Sequence, residues 1–327
     1  MSVGARIMSP EEGAGSRTAV AARGARVQPA RRHGPVGLDL PASRLLVATD
    51  LTERSDLALQ RGVQMACGLG ADLRVLHVVE AGLPRRVVRR RLDEARSVIQ
   101  EQMGLLTGRA PADHSISVRI GDPHLEIVRE AIEHSSDVII VGTHRRSSSN
   151  ERGIVPTCAR AMRYSTCPIL FVRDVPASPY KHAVVEVNLT AISPHVIAAA
   201  RQFAPEAESH LVHVYTGDDV DHPGAVPSIE SRAARLKRVH ALLDRLAATR
   251  TGSTGDGTRS SVTLAKGPVL EALSGAVAQR RADLLAVGLR PDDARDFSQA
   301  LELNRQSPET RSCDVLVVPG PAASDLS

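Results

Sequence analysis

Gly142 and Gly288 each close an aliphatic run, DVIIVG at 137–142 and DLLAVG at 283–288. Each stands 25 positions before a cysteine that opens another, CPILFV from Cys167 and CDVLVV from Cys313. A short apolar run, a glycine, a polar loop, a helical stretch over 152–164 and a second apolar run make a βαβ unit, because parallel strands covered on both faces read as near-continuous apolar sequence. The copies also match upstream, VATDLT at 47–52 with VEVNLT at 185–190, VLHVV at 75–79 with LVHVY at 211–215, and GDPHLE at 121–126 with KGPVLE at 266–271. Matches in one order constrain the chain to two related domains of about 130 to 150 residues. Twin sheets, one per half, are expected rather than a single continuous one.

Composition decides what fills these domains. Aromatic residues are 2% of the chain, so Val, Leu, Ile and Ala must build the cores. The net charge of +4 is concentrated in residues 1–43, where Arg6, Arg17, Arg23, Arg26, Arg31 and Arg32 face only Glu11, Glu12 and Asp39. The remainder is close to neutral, and nucleic-acid binding needs basic residues gathered on a folded face, so no nucleic-acid partner is expected. Cys67, Cys158, Cys167 and Cys313 have neither CxxC pairing nor Cys/His metal spacing, which fits free thiols in a reducing cytoplasm and no metal site. No apolar run reaches the length of a membrane span, and the amino terminus lacks the apolar block of a secretory signal. A cytoplasmic protein without a membrane partner is expected.

The expected organisation is a disordered basic tail at 1–43, a first domain at 44–173, a linker at 174–181 marked by two prolines, a second domain at 182–319 and a tail at 320–327. In the first domain RLLVATD at 44–50 is strand one, and Thr52 or Ser55 caps a helix to about Leu69. ADLRVLHVV is strand two. Pro84 opens a long helix whose apolar stripe is Val87, Val88, Leu92, Ala95, Val98, Ile99, Met103 and Leu106, with Arg85, Arg86, Arg89, Arg90 and Arg91 on a solvated face. HSISVRIG is strand three, followed by a helix capped by Asp122, then strand four and strand five. The second copy repeats this order from about His182, with IESRAARLKRVHALLDRLAA as its long helix.

In α/β sheets ligands gather at the carboxyl ends of the strands. The polar loop after Gly142, carrying His144, Arg145 and Arg146, is therefore the first place to look for chemistry, together with Asp50 at the end of strand one. Capping of the following helix is an equal structural reading for Asp50. His77 and His213 occupy matched places in central strands and are expected to be buried and hydrogen bonded rather than catalytic. No Ser/His/Asp set or carboxylate pair follows from spacing.

VATDLTERSDLAL, VLHVV, GDPHLEIVREA, DVIIVGTHRRS and CPILFV, in that order, resemble the universal stress protein family, and both copies follow the pattern from about Arg44 to Pro319. The resemblance implies an α/β fold of two tandem, doubly wound, five-stranded parallel-sheet domains of the adenine nucleotide alpha hydrolase-like kind. It also implies an intramolecular pseudo-dimer pairing through Ile169–Val172 and the strand from Val315 to Val318. Many members bind ATP, which places Asp50, Val78 and Gly142 on the adenine and loop side of a site, with His144 and Arg145 in the loop. The family's loop pattern, Gly-x2-Gly-x9-Gly-Ser/Thr, departs here: Arg145, Val155 and Pro156 stand at the second glycine, the third glycine and the hydroxyl position.

A glycine lets backbone N–H groups approach phosphate oxygens, whereas Val155 adds a branched side chain and Pro156 removes a donor. Two lost hydrogen bonds to charged oxygens, at roughly 1.5 to 3 kcal/mol each, lower affinity by orders of magnitude unless Arg145, Arg146 and the serines at 147–149 compensate. The second copy departs further, with Asn188 in place of Asp50, Pro291 in place of Arg145, Leu301 and Glu302 at the last two positions, and Asp292, Asp293 and Asp296 nearby. The expected function is a non-catalytic stress-response module with a regulatory protein partner, its first domain holding ATP or another anion. The alternatives are a nucleotide-independent interaction module and, third, a nucleotide hydrolase.

Overall fold

The computed structural model describes residues 44–143, 157–162, 164–173, 178–215, 233–234, 237–242, 260–289 and 313–320. The tail at 1–43, the loop from His144 through Pro156 and most of the second copy's long helix lie outside them, although 237–242 are helical. The first half runs β1 (Arg44–Thr49), α1 (Glu53–Leu69), β2 (Asp72–Glu80), α2 (Arg85–Thr107), a 3-10 turn at Asp113–Ser115, β3 (Ile116–Gly121), α3 (Pro123–His134), β4 (Val138–Gly142), α4 (Thr157–Met162) and β5 (Ile169–Val172). The second half runs β6 (His182–Glu186), α5 (Ser193–Phe203), β7 (Glu208–Tyr215), β8 (Ser260–Lys266), α6 (Val269–Arg280), β9 (Leu284–Leu289) and β10 (Asp314–Pro319).

The strands form one ten-stranded sheet in the order β3-β2-β1-β4-β5-β10-β9-β6-β7-β8. Each half is a parallel five-stranded sheet, and the two orders mirror each other about the centre. There β5 and β10 pair antiparallel, with Phe171 opposite Val315, Leu170 opposite Leu316 and Ile169 opposite Val317. The expectation of twin sheets rather than a single continuous one therefore gives way to twin five-stranded sheets fused edge to edge. The physical reason lies in those strands: both are apolar on both faces, and pairing satisfies backbone groups that would otherwise be buried without partners.

Both faces of the sheet are covered, which is why its strands carry unbroken aliphatic runs. Leu45, Val47, Val138, Ile140, Leu170 and Leu316 point into one layer with Leu59 of α1, Ile99 of α2 and Ile197 of α5. Leu46, Ile139, Val141, Phe171, Val315 and Val317 point into the other, with Ile127 of α3, Met162 of α4 and Leu273 of α6. On α2 the buried stripe is narrower than its spacing suggests. Ala95, Ile99 and Met103 are buried, whereas Val98 and Leu106 are 39% and 40% exposed, because only one helical face reaches the sheet. The arginines at 85, 86 and 89–91 are exposed.

The duplication extends to details that packing alone does not demand. Asp137 and Asp283, each opening its aliphatic run, accept backbone hydrogen bonds from the start of the neighbouring strand: Arg44 N donates to Asp137 at 3.0 Å, and His182 N to Asp283 at 3.1 Å. Among the described residues four non-glycine positions have positive φ, and they form two matched pairs, Leu51 (62°) with Leu189 (58°) and Ser135 (52°) with Arg281 (49°). Such backbone is unfavourable for residues with a Cβ. Its recurrence at equivalent turns is a mark of common architecture.

Buried polar groups tie helices to strands. Glu130 of α3, fully buried, accepts from Arg74 at 3.0 Å, from Ser117 at 3.0 Å and from Arg119, which also meets Glu126 and Glu133. At the centre, Asp314 at the start of β10 accepts from Arg61 of α1 at 3.1 Å, from the Tyr180 hydroxyl at 2.6 Å and from the Arg173 backbone N–H at 2.9 Å. The Arg61 guanidinium lies 4.2 Å from the Tyr180 ring centroid and donates to the Ser178 carbonyl at 3.0 Å. Tyr180, read from the sequence as part of a featureless linker, is only 4% exposed. Burial, with the Asp314 carboxylate beside it, pushes its phenol well above the usual range.

Among the described residues three histidines are held below their ordinary value of 6.5, in each case mainly by burial. Arg74 and Arg44 add to this at His134 against the opposing pull of Asp72; His195 feels burial alone; Arg280 adds to it at His210 against Glu208. The unfolded chain then takes up these protons first as pH falls, so their contribution is complete above about 6.5 and is lost on acidification. Burial raises Cys167 to about 11 and Cys313 to about 12 from 9.0. The unfolded chain loses those protons first, and stability declines as pH rises beyond 9. Urea unfolding across pH 5 to 11 is expected to give a highest midpoint between about 7 and 8.5, falling on both sides. A midpoint that rises on acidification from pH 7 to 5 would contradict the histidine argument.

Candidate functional site

The carboxyl edge of β1, β2 and β4 brings together three of the five residues singled out from sequence. Thr49 pairs with His77 in the parallel register, so Asp50, just past the end of β1, is level with Val78, which still lies within β2 and pairs with Arg119 of β3. Ala48 pairs with Val141, which places Gly142 level with Thr49 on the other side. His144 and Arg145 lie outside the described residues, as do Val155 and Pro156.

Between β1 and α1 the chain makes a tight polar turn. The exposed Asp50 carboxylate accepts from the Thr52 backbone N–H at 3.1 Å and from the Thr52 hydroxyl at 2.6 Å. Leu51 takes the left-handed conformation that the turn requires. Thr52 is the N-cap of α1, and beneath it the Thr49 hydroxyl donates to Ser55 at 2.8 Å while Ser55 donates to the Thr52 carbonyl at 2.9 Å. The turn thus presents a carboxylate beside the positive end of a 17-residue helix.

The second half builds the same turn without the charge. The Asn188 side-chain oxygen accepts from Thr190 N at 3.2 Å, from the Thr190 hydroxyl at 2.6 Å and from Ser193 at 2.7 Å. An amide oxygen therefore suffices for the cap. The turn itself does not require the negative charge that Asp50 adds.

Gly142 has a packing role. A Cβ there would sit 2.5 Å from the Arg54 carbonyl oxygen and 3.1 Å from the Ser55 nitrogen, so the first turn of α1 rests directly on the end of β4. At Gly288 a Cβ would meet only side-chain atoms, Ile192 Cδ1 at 2.9 Å and Val196 Cγ2 at 3.0 Å. Val78 is half-buried and packs on the layer that contains Leu46 and Ile139, leaving its backbone, on the side where β1 has already ended, as the part that could meet a ligand.

His77 and His213 are hydrogen bonded in the same way, Nδ1 to the Thr49 carbonyl at 2.9 Å and Nδ1 to the Val187 carbonyl at 2.6 Å. A carbonyl only accepts, so Nδ1 carries the proton in both and each ring locks a strand end in place. Sequence reasoning missed a Ser/His/Asp arrangement: His134 Nδ1 lies 3.0 Å from the Ser136 hydroxyl, and Nε2 lies 3.2 Å from Asp72. Ser136 is 1% exposed, its hydroxyl reaches no substrate, and the group sits at the amino end of the strands, away from the edge where ligands bind. Among the described residues no His/Cys/Asp/Glu group could hold a metal ion, and no helix is long and apolar enough to cross a membrane.

Fold and edge together define a tandem, doubly wound α/β protein of the adenine nucleotide alpha hydrolase-like kind, with two halves sharing one sheet. Residues 42–173, within the first half of the chain, match the model of the Universal stress protein family. A universal stress protein from Archaeoglobus fulgidus DSM 4304 superposes with a TM-score of 0.64 at 17% identity, covering 87% of this chain and 98% of the other. A functionally unknown protein from Pseudomonas aeruginosa PAO1 gives 0.52 at 15% identity, covering 86% and 93%. At these identities the likeness is one of fold. No curated protein matches the sequence.

Two substitutions separate scaffold from chemistry. Asp50→Asn is expected to unfold in urea within about 0.5 kcal/mol of wild type, because Asn188 shows that the oxygen alone holds the turn, whereas Asp50→Ala should cost about 1 kcal/mol. Gly142→Ala, which must push the first turn of α1 off β4, is expected to lose about 1–3 kcal/mol.

Proposed function

We propose that this protein is a non-catalytic stress-response module whose first half holds an adenine nucleotide, ATP in the first instance, at the edge formed by Asp50, Val78 and Gly142. His144 and Arg145, in the loop after Gly142, face the phosphates in this reading. The observation that carries it is the pair of turns at Asp50 and Asn188. Both halves need an acceptor oxygen there, and only the first places a full negative charge, suited to accept from the hydroxyls or amino group of a nucleoside. The second half, with Asn188 and the acidic residues that follow Gly288 in sequence, serves as its structural partner. Occupancy of the first half would alter a surface read by a regulatory protein in the cytoplasm.

A second reading, an interaction module that uses no nucleotide, draws on Gly142. The close approach of Arg54 accounts for that glycine without any ligand, and the sequence lacks the other loop glycines of the family. A nucleotide hydrolase has less in its favour, since the Ser136 hydroxyl of the Ser136, His134 and Asp72 group is buried and the group lies at the amino end of the strands.

Denaturing the purified protein and assaying released small molecules, followed by calorimetry with ATP, distinguishes these readings. Wild type is expected to bind ATP, and Asp50→Asn to bind at least about tenfold more weakly, the scale of one charge-assisted hydrogen bond, with its unfolding midpoint unchanged. No released nucleotide together with no heat at millimolar ATP would remove the nucleotide reading and leave the interaction module.

A further inference from the structure

The seam between β5 and β10 is locally twofold in its backbone and one-sided in its chemistry. The symmetry passes through the Leu170 and Leu316 pair, since Phe171 faces Val315 and Ile169 faces Val317. Three elements of the polar cluster at Asp314 have counterparts across that axis, and each counterpart lacks the group that matters. Pro168, buried, stands where Asp314 stands in the other copy, so the acceptor is missing. Pro319 stands where Arg173 stands, so the backbone N–H is missing. Ala199 of α5, fully buried, stands where Arg61 stands in α1, so the guanidinium is missing.

We infer that this seam is a directional interface, one that accepts a first half against a second half and rejects two halves of the same kind. Two first halves would bury two Arg61 guanidinium groups, each facing a Pro168 with no carboxylate. Two second halves would bury two Asp314 carboxylates, each facing a Pro319 with no N–H and an Ala199 with no charge. Arg61 and Asp314 are 5% and 2% exposed, so neither charge can turn to water. A buried ion pair adds little stability over an apolar one, but a buried charge without its partner is strongly unfavourable. The cluster therefore acts less as glue than as a bar to wrong partners. The partner that fits the face of β5 is the chain's own β10, and a second copy's β5 is excluded. This conclusion rests on the seam alone and stands or falls apart from nucleotide binding.

In the intact chain the tether holds the halves at an effective concentration on the order of millimolar, which hides any choice. A protease recognition sequence placed between Arg173 and Ser178 lets the folded full-length protein be cut, leaving Ser178 and Tyr180 with the second half. Cut protein, unlabelled and 15N-labelled, is mixed at tens of micromolar and read by native mass spectrometry. Wild type is expected to give only pairs of unlike halves, with like pairs at least about tenfold below their statistical share. Like pairs at the statistical share, or separation into free halves, would overturn the inference. Pro168→Asp supplies the missing acceptor to first halves only. It is expected to raise pairs of first halves at least about tenfold over wild type while pairs of second halves stay at the wild-type level. An unchanged distribution, or like pairs of both kinds, would sink the idea, since general loosening cannot favour one kind alone.

Discussion

Everything in this structure hangs on strands that are buried on both faces and must still satisfy their backbone groups. Parallel pairing does this within each half. At β5 it leaves an apolar strand with one unpaired side, and at β10 another. Antiparallel pairing of those two resolves both at once, which is why two independent folds share a continuous sheet and why Leu170 and Leu316 are both fully buried.

Much of this architecture was legible in the sequence because it follows from periodicity. DVIIVG and DLLAVG could only be strands covered on both sides, and β4 and β9 lie where those runs fall. Thr52, one of two candidates with Ser55, as the cap of α1 and Asp122 as the cap of α3 followed from side-chain chemistry near the first helical residue. What stayed hidden were contacts between residues distant along the chain. Nothing local in RDVPASPY announces that Tyr180 packs on Arg61, or that both meet Asp314. The usable signal was a disagreement between copies: Pro168 against Asp314 before otherwise matching apolar strands. The same holds for the Ser136, His134 and Asp72 group, in which Asp72 of β2 is distant along the chain from the other two.

The candidate site shows how one residue can answer to two demands. Asp50 and Asn188 hold equivalent turns with the same set of partners from Thr52 and Thr190, so the turn fixes the oxygen and leaves the charge free to vary. Gly142 belongs to the scaffold through its contact with α1, whatever else its loop does. Duplication makes this separation visible, since each half serves as the other's control. Residues kept in both copies report on the fold, and residues kept in one report on chemistry or on pairing.

Fusing the halves removes two sheet margins from the middle of the molecule and leaves β3 and β8 as the outermost strands. A bare margin invites a foreign strand to add on, the first step towards aggregates. On β3 the Arg119 side chain is drawn onto α3 by Glu126, Glu130 and Glu133, so an incoming strand meets a fixed cluster of charge. Neutralising that cluster would turn a guarded sheet margin into a template for accretion.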